Sequence, residues 1–484
     1  MKTRGWHFHL TSLAPANLLL AVVGLGGLAL YSRLMTTEQY GAYVLALTAQ
    51  LLGQWLLFSW LTMSVARFTP RMRKPRQARE LLTTVYAMAL MVGLALMGLA
   101  WGLDMLYPEG SGRYRPLVFA TMSMMVCRSM AQIGLESHRA NLRIGRYSLL
   151  ESSQALAGLG FGYVLVSRGA GQPEFALWGS ALANLGLLVV DLPWILRNLR
   201  PGCFSRPLLQ SIWQYGWPMA VSLVLCMSLA SLDRFLLGYL TGEEAVALYG
   251  AAVSIAERPL SIAFNWIGSA TISLSFNAHE REGISAANAI MQGALVTLIL
   301  LTWPMAFGLA ALAEPIATFM LGREFHQGVA NLLPWVALIG LLKGFVDHYF
   351  AQTFQLTGRT AALSGTYAAA LGVNLLANLI LIPAFGLPGA IASAVLAYVT
   401  AMILQVALAD AGLRRRPPMM DMLKALLACG LMYGVVRLLA FSGTVQGLLQ
   451  GVGAGVLSYG LVAYWLDLAG IRRRIARGLA DPKR

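Results

Sequence analysis

SLDRFLLGYLTGEEAVALYGAAVSIAERP, residues 231–259, is an apolar run that carries Asp233 and Arg234 and breaks over residues 238–244. It resumes as a helix that meets a second acid–base doublet, Glu257 and Arg258, just before Pro259. Two charge pairs inside apolar sequence flank a single turn. The turn has an echo near the start of the chain. LMTTEQYGAY (34–43) aligns without a gap on LTGEEAVALY (240–249), so that Glu38 falls on Glu244 and Tyr43 on Tyr249, an offset of roughly 206 residues. A repeat at that distance means a chain built twice.

Working outward, composition gives the class. Charged residues make up 12% of the 484, where a soluble domain carries about 25%. Apolar runs of about 20 residues recur from end to end, the length that crosses a bilayer as helix. The short alternating segments of a β-barrel are missing from the sequence. The chain therefore reads as an all-α polytopic membrane protein with about 14 transmembrane helices. Its first apolar stretch, residues 13–34, follows a basic flank but has no small-residue cleavage pattern, so it reads as a first membrane helix and not a removed leader. The cysteines form no CxxC and the histidines are scattered singly, so we expect no metal site and no cofactor.

An even number of spans puts both termini on one side, and the positive-inside rule chooses the cytoplasm. That side then takes Lys2, Arg4, the cations of residues 67–79, Arg139, Arg143, Arg146, Arg197, Arg200, Arg206, Arg281, Arg359, Arg414 to Arg416, Lys424 and the basic tail. The other side keeps only Arg33, Arg113, Arg115, Arg168 and Arg323. Most of the +15 net charge is thus a topology device and a contact for anionic membrane lipids, not a nucleic-acid surface.

The repeat continues. LRIGRYSLLESS (142–153) resembles QLTGRTAALSGT (355–366), with Gly145–Arg146 on Gly358–Arg359, an offset of roughly 213. The expected organisation is a six-helix lobe over residues 1–207, a second, pseudosymmetric six-helix lobe over 208–412, and two additional helices with a basic tail over 413–484.

Three segments in order carry a family resemblance: SRLMTTEQYGAYVLAL (32–47), LDRFLLGYLTGEEAVALYGAA (232–252) and NLILIPAFGLPGAIASAVLAY (378–398). They resemble the Wzx-type polysaccharide-unit flippases of the multidrug, oligosaccharidyl-lipid and polysaccharide exporter superfamily. The resemblance implies alternating access in a bacterial inner membrane, moving an oligosaccharide linked to undecaprenyl pyrophosphate. The implied partners are that lipid-linked oligosaccharide, membrane lipids and other polysaccharide-assembly proteins. Two rival functions stay open: a multidrug exporter of the same superfamily, which calls for unpaired carboxylates, and a membrane enzyme of polysaccharide assembly, which calls for a catalytic loop. No loop carries such a cluster, so no catalytic residue is assigned.

The residues themselves point to an anionic headgroup. A sugar with two phosphates cannot cross about 30 Å of hydrocarbon without losing its hydrogen bonds to water, so a carrier must supply a wet, cationic cavity. Arg128, Arg258, Arg234 and Lys343 lie within spans and are the candidate ligands; each would cost roughly 2.5–3.5 kcal/mol facing lipid at mid-helix. Arg128 stands eight residues from the nearest acid along its helix, Glu136. Lys343 and Asp347 are four apart, the spacing of a helical ion pair. Asp233–Arg234 and Glu257–Arg258 are adjacent and cannot pair well within their own helices, so they pair between spans or their cations face cargo. Glu151 and Asp191 read as solvated near cytoplasmic ends. Pro259 and Pro304 are the candidate hinges, each removing a backbone hydrogen bond. The sequence has no GxxxxGK[ST], so this chain is not expected to hydrolyse ATP; coupling to an ion gradient or the membrane potential stays open, with Asp233, Glu257 and Asp347 as the candidate coupling acids and nothing in the spacing to choose among them.

The orientation is directly testable. Reporter fusions after Arg79, Arg206, Arg416 and Arg484 are expected to report cytoplasm, and fusions at Gly110 and Glu243 the opposite side. An exterior signal at Arg206 would break the division into equal lobes.

Overall fold

The computed structural model describes residues 4–72, 74–106, 112, 114–200, 202–410 and 418–470. Gly110, Arg113, Arg414 to Arg416 and the tail from Arg472, all used above for orientation, lie outside them. Every regular element among the described residues is helical. In chain order the helices are α1 (Arg4–Leu34), α2 (Thr37–Phe68), α3 (Pro75–Leu106), α4 (Arg115–Ala140), α5 (Ile144–Arg168), α6 (Pro173–Asn198), α7 (Arg206–Leu229), α8 (Leu232–Thr241) and α9 (Glu243–Glu282). There follow α10 (Ile284–Ala311), α11 (Ala313–Met320), α12 (His326–Phe345), α13 (Ala351–Leu356), α14 (Thr360–Phe385), α15 (Leu387–Leu408), α16 (Met419–Leu438) and α17 (Val445–Trp465). Hydrocarbon offers the backbone no water, so a spanning segment must satisfy its own N–H and C=O groups, and helix does so.

Twelve described helices are long and apolar enough to cross a membrane, with α12 and α13 running together as one span over 323–356. The sequence's count of about fourteen is reached by adding α1, whose Leu18–Leu34 part is a shorter apolar helix, and α9, which is 40 residues long but more polar. The expected seventh span is broken. α7 ends at Leu229, and α8 starts again with Asp233 in its first turn, where an acid suits the helix dipole.

The chain forms two compact units. The first comprises Met1–Gly238 with Gly242–Ala247, the second Tyr239–Thr241 with Leu248–Arg484. In the first, α2 packs on α4 and α7, α6 packs on α4 and α5, and α1 packs on α5. Close approach decides two of these crossings: a Cβ on Gly179 would fall into the Gly162 backbone, and one on Gly216 into the carbonyl of Trp60. In the second unit, α14 packs on α15, α10 on α12 and α16, and α16 on α17. Ala425, Ala428 and Cys429 are fully buried on α16. Gly447, Gly451 and Gly455, spaced at four, are all buried on α17, as that spacing predicts for a close helix contact. The first unit takes in α7 and α8 as far as Gly238, while the last three residues of α8 belong to the second.

The internal repeat is visible in backbone geometry. α2 and α9 begin after Thr36 and Gly242, in the register that aligned Glu38 with Glu244. Thr36 caps α2 through a capping box with Gln39. The second echo is displaced by three residues from its sequence alignment. Leu142 and Gly358 both take positive φ, 58° and 71°, and Arg143 and Arg359 then start α5 and α14 with matching backbone angles. The flanking hydrogen bonds match too: Arg143 N–H donates to His138 O and Arg359 N–H to Phe354 O, both at 2.9 Å. Leu142 thus occupies a left-handed position that its counterpart fills with glycine.

Leucine pays about 1–2 kcal/mol for that conformation. Leu142→Gly is expected to raise, or leave unchanged, the thermal midpoint of the detergent-solubilised protein. Gly358→Leu should lower stability by about 1 kcal/mol. A large loss on Leu142→Gly would show that the exposed leucine contributes packing.

Candidate functional site

In the second unit α9, the α12–α13 span and α14 bring charged side chains together. Lys343 Nζ on α12 donates to Glu257 Oε1 on α9 at 2.9 Å, both side chains about a third exposed. The spacing of Lys343 and Asp347 predicts a pair along one helix, and the structure corrects this. Residues Val346–Phe350 form a π-helical turn, which widens the helix where the acid leaves it. Asp347 Oδ1 instead accepts from Tyr367 Oη on α14 at 2.7 Å. The next residue, His348, stacks on Phe264 of α9, with ring centroids 6.0 Å apart and planes at 20°. One turn on, Gln352 Nε2 donates to the Gly268 carbonyl at 2.9 Å, tying the far side of the π turn to α9.

Glycine permits this seam between α9 and α12. A Cβ on Gly344 would enter the Phe264 ring, and a Cβ on Gly340 would come within 2.9 Å of Leu260. Between the helices is a cleft of about 50 Å³ lined by Glu257, Ser261, Phe264, Lys343, Asp347 and His348. At about 30 Å³ per water molecule, that volume suits a water, a proton or a small ion and not a sugar phosphate. Arg258, one residue from Glu257, points elsewhere: it is exposed and makes no ion pair among the described residues. α9 continues through Pro259 and α10 through Pro304, each losing one backbone hydrogen bond without a break in the helix.

The other candidates lie in the first unit. Arg128 on α4 is half-buried and feels the charge of Glu151 on α5, yet has no ion pair among the described residues. Glu151 itself accepts from Tyr147. Arg234 Nη1 donates to Thr48 Oγ1 at 3.4 Å, its Nε is buried without a hydrogen bond, and Asp233 beside it is buried. The candidate residues therefore fall into groups: Glu257, Lys343 and Asp347 around one cleft, Arg258 and Pro259 on the next turn of the same helix, and Arg128 and Arg234 in the other unit.

Asp191 overturns its reading as a solvated acid. It is 3% exposed and binds His138 Nε2 at 3.0 Å and Arg146 Nη2 at 2.5 Å, joining α6 to α4 and α5. His138 is fully buried against Trp194. The one sequence signal for this triad was an acid within the last two turns of the apolar sixth span; its partners are some 50 residues away in sequence and no local spacing shows them.

Removing one partner of a buried charged group strands the others, at about 3–5 kcal/mol. Asp191→Ala should therefore lower the thermal midpoint of the solubilised protein more than Lys343→Met, whose partner Glu257 reaches solvent. Equal losses would place both pairs in the same environment.

The sequence of residues 30–330 matches the family described as polysaccharide biosynthesis protein. A curated relative, the probable low-salt glycan biosynthesis flippase Agl15 of Haloferax volcanii, is 22% identical over 288 residues, 58% of this chain and 58% of its own length. Among solved structures, the lipid II flippase MurJ in an inward closed conformation superposes with a TM-score of 0.79 at 15% identity, over 95% of this chain and 99% of that one. An inward-facing multidrug resistance MATE transporter of the MOP superfamily gives 0.52 at 16% identity, over 82% and 93%. These two are likenesses of fold. The family match spans more than half of the chain, covering most of the first unit and the start of the second, and on it the chain belongs to the polysaccharide biosynthesis protein family.

Proposed function

We propose that the protein flips an undecaprenyl-pyrophosphate-linked oligosaccharide from the cytoplasmic to the outer leaflet of a bacterial inner membrane by alternating access. The family description, a relative described as a glycan biosynthesis flippase and a fold like that of a lipid II flippase support the reading. The observation that carries it is Arg258: a guanidinium on a helix of membrane length, exposed, with no ion pair to a carboxylate among the described residues. Facing lipid it would cost roughly 2.5–3.5 kcal/mol, so it faces water and an anion. Its planar fork of donors suits the paired oxygens of a pyrophosphate. Arg128 and Arg234 are the further cationic candidates of the first unit.

Lys343 has a different part in this reading. While Glu257 is ionised it holds the ammonium at 2.9 Å. A proton or cation delivered to Glu257 through the cleft, where Asp347 is the second acid, releases Lys343 for the cargo, linking an ion gradient to anion binding without ATP. Asp233, in the other unit, is the remaining coupling candidate. Pro259, one residue from Arg258, and Pro304 are the places where helices would bend.

Arg258→Gln and Arg128→Gln are expected to abolish export while leaving protein levels intact. Lysine at either position should keep part of the activity, because charge remains and bidentate geometry is lost. Export and expression measured together separate binding from folding. Normal export by the double glutamine protein would remove both residues from the site.

A further inference from the structure

α9 is 40 residues long but is not one of the twelve apolar spans, and its exposed surface sets polar side chains among the exposed Ile262, Trp266, Leu274 and Phe276. From Ser261 onward Asn265, Ser269, Ser273 and Asn277 recur at every fourth position, all exposed or half-exposed. Each is bonded to its own helix. The hydroxyls of Ser269 and Ser273 donate to the carbonyls of Asn265 and Ser269, and the amides of Asn265 and Asn277 donate to those of Ser261 and Ser273, at 2.5–3.0 Å. Those bonds use the serine protons and one proton of each amide. What remains facing outward is a row of acceptors, hydroxyl oxygens and Asn Oδ1, with one free N–H per asparagine.

A serine bonded to its own helix is tolerable in hydrocarbon, but a carboxamide with an unmet acceptor and donor is costly there. Two of them on the exposed side of one helix, in a stripe that winds about 40° round it with each step of four residues, indicate a surface that meets polar groups. Trp266, 73% exposed, lies beside the row. The row starts at the charged cleft, where Ser261 lines the wall with Glu257 and Lys343, and Arg258 stands exposed at the same end. No charged side chain interrupts it between Arg258 and the residues after Asn277. Outward acceptors suit donors without charge; an exposed indole suits the apolar C–H face of a pyranose ring. At 1.5 Å per residue the row runs about 24 Å, the length of several sugar rings.

We infer that this face of α9, from Ser261 to Asn277, is the surface on which the sugar portion of the cargo lies, with the pyrophosphate at the Arg258 end. The ligand class is an uncharged oligosaccharide, and the inference rests on the flippase reading above. Arg258 takes the part of the cargo common to all polyprenyl pyrophosphates, and the acceptor row distinguishes a glycosylated carrier from a bare one.

The test compares binding of two probes to the purified full chain: the lipid-linked oligosaccharide fraction of the organism's own membranes, and undecaprenyl pyrophosphate. Wild type should bind the glycosylated probe more tightly. The Asn265→Leu, Ser269→Ala, Ser273→Ala, Asn277→Leu protein should lose that preference, by roughly tenfold for the few hydrogen bonds removed, with binding of the bare lipid unchanged. Arg258→Gln should weaken both. A Ser269→Thr, Ser273→Thr protein, which keeps both acceptors, should keep the preference and serves as the folding control. If the fourfold variant retains the wild-type preference, the face is covered by lipid or by another protein and the inference is overturned while the flippase reading stands. If wild type binds neither probe, both fall.

Discussion

Inside hydrocarbon a polar group must find its partner within the protein, and most of the described structure follows from that constraint. It makes every regular element a helix. It sends serine and threonine hydroxyls to the carbonyl one turn back, as at Thr48, Ser64, Thr121 and Thr302. It also sorts the charges. Asp191 is buried with a histidine and an arginine, Glu257 holds a lysine and Asp347 a tyrosine hydroxyl. Against that background an arginine with no such partner is informative, because the same rule then requires water or an anion beside it.

The two units meet the constraint differently. In the first, Asp191 and His138 are buried and, with an exposed Arg146, lock three helices, while Glu136 pairs with Arg139 on α4 at 2.8 Å. The second keeps its charges half-exposed around a small cleft and next to a π turn. A buried aspartate against a buried histidine resists rearrangement, since separating them strands a charge. A half-exposed pair beside an irregular helix separates at lower cost, which makes the second unit the better seat for a step that makes and breaks an ion pair.

The class and the approximate number of spans were legible because they depend on composition and on local patterns: apolar length and scarcity of charge. The repeat was legible to within a turn. Gly145–Arg146 drew the alignment to Gly358–Arg359 by identity, whereas the backbone pairs Leu142 with Gly358, and conformation is set there by a positive φ that leucine adopts against its preference. The site was less legible. The four-residue spacing of Lys343 and Asp347 assumes a regular helix, and a π turn leaves no mark in hydropathy. Depth is not visible in one dimension either, so Asp191 looked interfacial although it is buried. Tyr367 and His348, which complete the cleft's surroundings, stand in sequence with nothing to separate them from ordinary membrane-helix aromatics.

The π turn also bears on how its span communicates with its neighbours. Such a turn is wider than the α-helical turn it replaces, and a helix can change its winding there without breaking. Val346–Phe350 is tied on two sides: Asp347 within it holds Tyr367 on α14, and Gln352 just beyond it holds the Gly268 carbonyl on α9. Rewinding those five residues would alter both ties at once, so a change at the acid would be felt on two other helices.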